Sequence, residues 1–343
     1  MKLARDKPTI TDVAKKAGVS KSLVSLVMRG ERHVSAVRRE AVQKAVAELG
    51  YRPNAMAQGL VQRRTRILGV MVSDLHNPFF ADVSAGIQDQ AARSRYRVLN
   101  NTGNRVATQE DDAIETLLQL RADGLILLGP LVESRLIVKA SKEVPMVLVG
   151  RAAEASSLDS VTNDDHAGAV MVVEHCAQLG HKLIAHIDGG QGAGADARRQ
   201  GYEDAMRKLR LARHSSVVPG SFTEEGGHNG ALLLLELRPQ PTAVFVSNDL
   251  AAIGALNALE ERGLKVPDDI SLVGYDNTSL AALRHISLTT VHQPRLEMGQ
   301  MAVSMLIERI EEGRTRPRRS VLTPSLVVRG TTAPPRVSRA AQG

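Results

Sequence analysis

The sequence predicts an N-terminal all-α head of helix-turn-helix type, followed by an α/β core of two lobes built on doubly wound parallel sheets. Three observations predict this. Two short apolar-periodic stretches meet at Gly18, basic residues crowd the first fifth of the chain, and from Ile67 short apolar runs alternate with helical patterns.

In the first stretch, Thr9 can cap a helix with Asp12 in its electropositive first turn, and Val13, Ala14 and Ala17 form the inner face. Gly18-Val19 makes a tight turn, and Ser20 caps a second helix with Val24, Val27 and Met28 facing inward. Such a pair fits a helix-turn-helix, whose second helix enters the major groove, or an ordinary αα corner. Charge separates the two. Residues 1–66 hold 15 Lys and Arg against 5 Asp and Glu, whereas the whole 343-residue chain is +7, so the remainder is net acidic. A surplus concentrated in this way is the footprint of a phosphate-bearing partner.

After the loop 29–34, Ser35 caps a third helix reaching Leu49, with Val37, Ala41, Val42, Ala45, Val46 and Leu49 as its apolar stripe. This closes a head over residues 1–50. Gly50 stops the helix, and Tyr51-Arg-Pro-Asn54 is extended because the residue before proline is biased away from helix. Residues 54–60 have helical composition but are too short to form a stable helix alone in water. Residues 51–66 therefore read as a hinge and linker that order only against DNA and a partner hinge.

Apolar runs at 67–72, 96–99, 124–128, 145–149, 183–187, 242–246 and 270–273 alternate with helical stretches such as 81–93, 109–120, 168–179 and 250–262. Strands spaced by helices imply right-handed βαβ units and hence parallel sheets, here dividing near Ser160. Residues 332–343 lack an apolar repeat and read as a flexible tail. With 43% hydrophobic and 24% charged residues, the balance is that of a soluble globular protein. No apolar run approaches the roughly 20 residues of a membrane span, and the N-terminus has no apolar signal core. The single cysteine, Cys176, cannot form an internal disulfide and reads as a packing residue in a reducing cytoplasm.

Ile10-Thr-Asp-Val-Ala14, Ala17-Gly-Val-Ser20, Leu23-Val-Ser25, Val34-Ser35 and Gly50-Tyr-Arg-Pro-Asn54 resemble the signature of the LacI/GalR family of bacterial repressors. The resemblance runs through nearly the whole chain. It implies a periplasmic-binding-protein-like core over 67–331, in which the chain crosses between lobes more than once. The lobes would be 67–160 plus 291–322, and 161–290 plus 323–331. It also implies that Lys21, Ser22 and Ser25 face base edges, with Leu26 where a relative's base-reading arginine can stand. Leu26 would either touch a thymine methyl or pack inside the head. Thr9, Ser20, Arg29, His33 and Ser35 would bind phosphate and set register. Thr11, Leu23, Tyr51, Asn54 and Ala57 complete the expected DNA-facing set. Leu60 holds the position of a minor-groove wedge. Gly59, where a bulkier residue is commoner, weakens that helix by up to about 1 kcal/mol. The chain lacks the C-terminal leucine-rich helix that joins some relatives into tetramers, so a homodimer is expected.

In open α/β sheets, ligands bind beyond the carboxyl ends of strands. Ser73, Asp74, Asn77, Phe79 and Phe80 follow the first apolar run, and Asn77-Pro-Phe-Phe80 matches sugar-binding relatives in which such aromatics stack on the sugar face. Arg198-Arg-Gln-Gly-Tyr202 resembles the family's Arg-x-x-Gly-aromatic element. There Arg198 would make forked bonds to ligand oxygens, with Arg199 toward solvent. Phe222 matches an aromatic that covers the ligand. Asn248 and Asp276 end strands where they can meet hydroxyls, and Gln293 matches a further contact. Asp249 reads more readily as a helix cap. Gly150, where relatives often carry an acidic or polar residue, and Gly129 leave the ligand's identity open. Together these residues form a polyol-type site for a sugar or nucleoside.

Rival readings are weaker. Gly192-Ala-Gly-Ala-Asp-Ala197 formally fits a nicotinamide-dinucleotide fingerprint, but residues 214–218 lack the acid that mechanism needs. The segment reads better as a cover leading to Arg198. No histidine pair is supported as a metal site, and no nucleophile turn of G-x-S-x-G type occurs. A sugar-binding protein of transport type has no use for the basic head. The expectation is a cytoplasmic DNA-binding transcriptional regulator, most simply a repressor. It would be controlled by a small-molecule effector, act on double-stranded operator DNA, need no cofactor or metal, make no membrane contact and not be an enzyme.

Overall fold

The computed structural model describes residues 8–28, 33–51, 64–155 and 157–336. The chain divides into two compact units on either side of Thr65 and Arg66.

The head unit contains α1 (Ile10–Ala17), α2 (Lys21–Met28) and α3 (Ala36–Leu49). The Asp12 carboxylate accepts both the Thr9 amide at 2.8 Å and the Thr9 hydroxyl at 2.7 Å, which fixes the start of α1. Those bonds hold the Asp12 carboxyl below its ordinary value. Gly18 ends α1 in the left-handed region at φ 65°, so the Val19 amide can reach back to the Ala14 carbonyl at 3.0 Å. Ser20 Oγ accepts the Leu23 amide at 3.2 Å and caps α2, as its position predicts. Val13, Ala14, Val24, Val27, Val34, Val42 and Ala45 form the head's core.

Two expectations for α3 are corrected. Ser35 stands at the N-cap, but its side chain makes no cap bond; only its carbonyl enters the helix, accepting from the Arg39 amide at 3.0 Å. Val37 is 78% exposed, because Val34 from the preceding loop enters the core instead.

The second unit holds two six-stranded sheets. Its elements are β1 (Ile67–Val72), α4 (Pro78–Arg93), β2 (Arg97–Thr102), α5 (Ala107–Gln119), β3 (Gly124–Leu128), α6 (Ser134–Ala140), β4 (Met146–Val149) and β5 (Asp159–Asn163). There follow α7 (Asp165–Gln178), β6 (Ile184–Ile187), α8 (Ala195–Lys208), β7 (Ser216–Val218), α9 (Glu224–Glu236), β8 (Ala243–Val246), α10 (Asp249–Glu261) and β9 (Ser271–Asp276). The last are β10 (Thr289–His292), α11 (Arg295–Glu311), β11 (Arg319–Leu322) and β12 (Ser325–Val327). The first sheet runs β11-β5-β4-β3-β1-β2, parallel throughout. The second runs β12-β10-β9-β8-β6-β7, with β12 alone antiparallel.

The central strands are covered on both faces, which is why β1, β3, β4 and β8 are apolar runs rather than alternating ones. Leu68, Val70 and Val72 of β1 pack beneath α4 and α11, while Met71 joins the core under α5 and α6. In the second sheet Val244 and Val246 lie in the core with α9 and α10, and Ala243 and Phe245 in the core with α7 and α8. The α4–α11 crossing depends on glycine: a Cβ on Gly86 would stand 2.1 Å from the Leu296 carbonyl oxygen.

The sheets refine the expected boundaries. β5 continues in the first sheet to Asn163, past the expected division at Ser160, and β10 still pairs with β9, so the return to the first sheet follows His292. The expected flexible tail does not begin at Thr332. The Thr332 hydroxyl lies 3.1 Å from His175 Nε2, and the Ala333 carbonyl accepts the Ser271 hydroxyl at 3.0 Å.

Candidate effector cleft and nucleic-acid interface

On the head, Thr9, Thr11, Ser20, Lys21, Ser22, His33 and Ser35 are exposed, and Ser25 and Tyr51 half-buried. Leu23 and Leu26 are also half-buried and pack against the head's core. Lys21 and Ser22 therefore stand in the first turn of α2 with their side chains toward solvent, a position from which a helix presents its N-terminal residues to a groove. Arg29, Asn54, Ala57 and Leu60 lie outside the described residues.

In the second unit, a cleft is lined by residues that follow strand ends of both sheets. Ser73 follows β1, Gly129 and Leu131 follow β3, Gly150 follows β4 and Asp165 follows β5. From the other sheet come Gly192 and Arg198 after β6, Phe222 after β7, Asn248 after β8, Asp276 at the end of β9 and Gln293 after β10. Asn77, Phe79 and Phe80 enter from the start of α4. Nine of the ten expected effector residues thus line one cavity.

Asp74 does not. Its carboxylate turns back on its own loop to accept the His76 amide at 2.8 Å, and it borders a different groove.

Arg198 is the centre of the cleft. Only 5% exposed, its guanidinium lies 3.8 Å from the Tyr275 ring centroid and 5.1 Å from that of Phe222. Nε donates to Asp165 at 3.0 Å and Nη1 to the Ser247 carbonyl at 2.6 Å, with the Asp276 carboxylate 3.9 Å from Nη1. Arg199 turns outward to Asp188 and Glu203, as expected. Burial pushes the Asp276 carboxyl up to about 7; Arg198 opposes this and the nearby Asp249 adds to it. Gln293 Nε2 donates to Asp276 at 2.6 Å.

Asn248, not Asp249, is the N-cap of α10, accepting the Ala251 amide at 2.8 Å. Asp249 instead receives the Thr278 amide at 2.6 Å and the Thr290 hydroxyl at 2.5 Å, bracing the loop behind Asp276. Asn77 similarly caps α4 with its Oδ1, which accepts the Phe79 amide at 2.9 Å. Phe80 fills the space a side chain at Gly129 would need, its ring 2.8 Å from the site of a Cβ there.

Three lining residues escaped the sequence reading: Arg105, Leu131 and Asp165. Asp165 was hidden because β5, Asp159–Asn163, is polar in composition and offers no apolar run to mark its end. Leu131 is set by Glu110, a fully buried carboxylate on α5 that accepts the Leu131 and Val132 amides at 2.6 and 2.8 Å and the Ser73 hydroxyl at 2.6 Å.

The glycine run 189–194 has a steric reason. A Cβ on Gly192 would meet the Phe222 ring at 2.3 Å, and one on Gly189 at 2.5 Å. These glycines make room for an aromatic ring, and α8 begins directly after them at Ala195.

The chemistry assembled is two arginines, two carboxylates, three amides and aromatic faces, with little net charge. Comparison with known proteins gives this arrangement a lineage. Residues 9–54 match the family described as bacterial regulatory proteins, lacI family, and residues 173–332 the periplasmic binding protein-like domain. The ribose operon repressor of Haemophilus influenzae is 33% identical over 94% of this chain and 97% of its own. The chain belongs to the LacI family of bacterial regulatory proteins. Another LacI-family relative, the HTH-type transcriptional repressor PurR of Vibrio campbellii, is 35% identical over 94% of this chain and 98% of its own. The crystal structure of the lac repressor dimer bound to operator and an anti-inducer matches with a TM-score of 0.84 at 30% identity, covering 96% of this chain and all of that one. The family read from the head's motifs and the two-lobe fold expected with it both hold. Among the described residues, no helix is long and apolar enough to cross a membrane.

Proposed function

We propose that this LacI-family protein is a transcriptional repressor, acting in the cytoplasm as a homodimer on a near-palindromic operator, and that a neutral polyhydroxylated effector, a sugar, controls it. One observation carries the effector reading: Arg198 is buried between Asp165 and Asp276 in a cleft that Phe79, Phe80 and Phe222 also line. Carboxylates and amides accept and donate to hydroxyls, and rings stack on the apolar face of a sugar. The two lining carboxylates balance Arg198 and Arg105 and leave no surplus positive charge for an anion. The ribose operon repressor among the relatives is consistent with such a ligand. Effector binding between the lobes acts on DNA through its difference in affinity for two lobe arrangements. The head supplies the basic surface and an exposed α2 N-terminus for the operator.

The test is an operator-binding titration with a panel of sugars, on wild type and Arg198→Ala. The expected result is an effector response lost by about 100-fold or more in the variant, with operator affinity in the absence of sugar nearly unchanged at a temperature where thermal melting shows the variant folded. An unaltered titration would remove Arg198 from the effector site.

A further inference from the structure

The first lobe has a basic end. Its sheet is parallel throughout, so all six strands begin at one end, opposite the cleft. The segments leading into them, residues 64–67, 94–97, 120–124, 141–146, 155–159 and 312–319, hold ten Lys and Arg against four Asp and Glu. Nine of those cations are exposed, but only two of the acids, Glu143 and Glu312. The chain outside the head is net acidic, so this surplus is local.

Asp159 shapes one edge of this end. Fully buried at the start of β5, it accepts Arg309 Nε and Nη2 at 2.9 Å each, Arg314 Nη1 at 3.2 Å and the Arg318 amide at 2.7 Å. Two guanidinium groups thus neutralise one buried carboxylate and hold residues 314–318 against the lobe, while Arg316 and Arg319 stay exposed. At the other edge, Arg95 and Arg97 lead into β2, also exposed. Glu308 and Glu311, at the end of α11, are taken up by Arg318 and Arg66. Among the described residues, Arg95, Arg97, Arg316 and Arg319 make no ion pair. Six strands at about 4.8 Å spacing make the end about 24 Å long. Duplex DNA offers a phosphate charge roughly every 1.7 Å of its axis.

The linker from the head joins the core at this same end. The Arg66 amide donates to Asp123 at 2.9 Å, and the Arg66 guanidinium pairs with Glu311 and lies 5.0 Å from the Tyr96 ring centroid. Residues 52–63 can span at most about 40 Å, so DNA gripped by the head stays within that reach of the basic end.

We propose that the basic end of the first lobe is a second DNA-binding surface, which holds the phosphate backbone of double-stranded DNA flanking the operator. It reads no bases, since exposed arginines on phosphates set position rather than sequence. The inference rests on the operator reading of the head and adds a contact made by the core. The probe is a site selected by the full chain from randomised half-sites, as a duplex of about 20 base pairs and as the same site centred in about 60 base pairs of unrelated flanks. The longer duplex is expected to bind about tenfold more tightly at low salt, with a steeper salt slope. Arg316→Gln with Arg319→Gln, and separately Arg95→Gln with Arg97→Gln, should each cut that gain to about threefold or less. Each pair should also lower the slope on the longer duplex by about two for every protomer engaged. Affinity for the short duplex should stay within about twofold. Two pairs at opposite edges guard against one that misfolds, which thermal melting detects.

Equal affinity for both duplexes, or a long-duplex gain unmoved in both folded pairs, overturns the surface. Binding of a single-stranded RNA through these arginines, without any long-duplex gain, assigns the end to RNA and overturns it as well. The two readings fail differently. Specific binding of the short duplex with no gain from flanks removes only the core contact. Selection that enriches no site removes the operator reading, and the core surface falls with it.

Discussion

Arg295 donates from Nε to the Asp82 carboxylate at 2.9 Å, and its Nη2 donates to the Asn277 carbonyl at 2.7 Å. Asp82 lies on α4 over the first sheet, while Asn277 directly follows β9 of the second, so one guanidinium ties the two lobes together. It also donates to the carbonyl of Asp276, the residue whose carboxylate faces the cleft. Asp82→Asn should loosen this tie without breaking the backbone contacts. Because Asp82 is well exposed, the stability loss should stay below about 1 kcal/mol. A tie of that size bears more visibly on lobe closure: the effector midpoint should rise by up to about fivefold. Calorimetry beside thermal melting checks both; an unchanged midpoint would mean that Arg295 holds the lobes through its carbonyl contacts alone.

Arg198 should prove as important to folding as to binding. Removing it leaves Asp165 and Asp276 buried at 7% and 3% exposure without their cation. Arg198→Ala should therefore cost about 3–5 kcal/mol in urea denaturation, the usual result of breaking a buried pair from one side. Arg198→Lys keeps the charge but loses the fork and the stacking on Tyr275 and Phe222. It should recover most of the stability and little of the effector affinity. Full recovery of affinity by lysine would show that charge alone is recognised.

The pH dependence follows from Asp276. Its carboxyl titrates near 7 in the folded chain against an ordinary value of 3.8, because it is buried. The folded state thus holds a proton that the unfolded chain has released, and stability contributed by this group falls as pH climbs from about 4 to about 7. Asp249, pushed up to about 6 by burial, acts in the same direction. Effector binding should show the opposite trend. The ionised carboxylate is the better hydroxyl acceptor, so affinity should strengthen as pH rises through about 7. Asp276→Asn should flatten that profile. A profile equally steep in the variant would assign the titration elsewhere.

The parts legible in the sequence were those fixed by local chemistry. Thr9 with Asp12, Gly18, Ser20 and Gly50 mark helix ends through backbone hydrogen bonds that each residue type can or cannot make. The cleft residues were legible because a parallel sheet must put its ligand at strand ends, and the apolar runs locate those ends. What escaped lacked such a marker. Polar β5 concealed Asp165, and Glu110 looks like any solvated helix acid until the fold buries it under the Ser73 and Leu131 loops. Val37 fits the helical stripe of α3 but stands outside, since a loop residue, Val34, takes the space in the core. Such choices are tertiary, and periodicity alone cannot make them.

The recognition helix offers the last test. Leu26 is half-buried and packs against the head's core, whereas Lys21 and Ser22 on the same helix are exposed. Lys21→Ala should weaken binding to an operator and, if the lysine contacts phosphate as well as base, reduce the salt slope by about one. Leu26→Ala should instead destabilise the head by about 1–2 kcal/mol, less than a fully buried leucine because part of its surface is already in water. For Leu26→Arg the two possible placements give opposite results. A core contact predicts a less stable head with unchanged base preference, since a guanidinium in that position turns to solvent rather than to the groove. A groove contact predicts a shift toward guanine at one symmetric position in each half-site, worth about 1–3 kcal/mol per base. The packing of Leu26 favours the first outcome. Selection from randomised half-sites with both proteins decides it: a new guanine at one position in both half-sites would move Leu26 out of the core and into the groove.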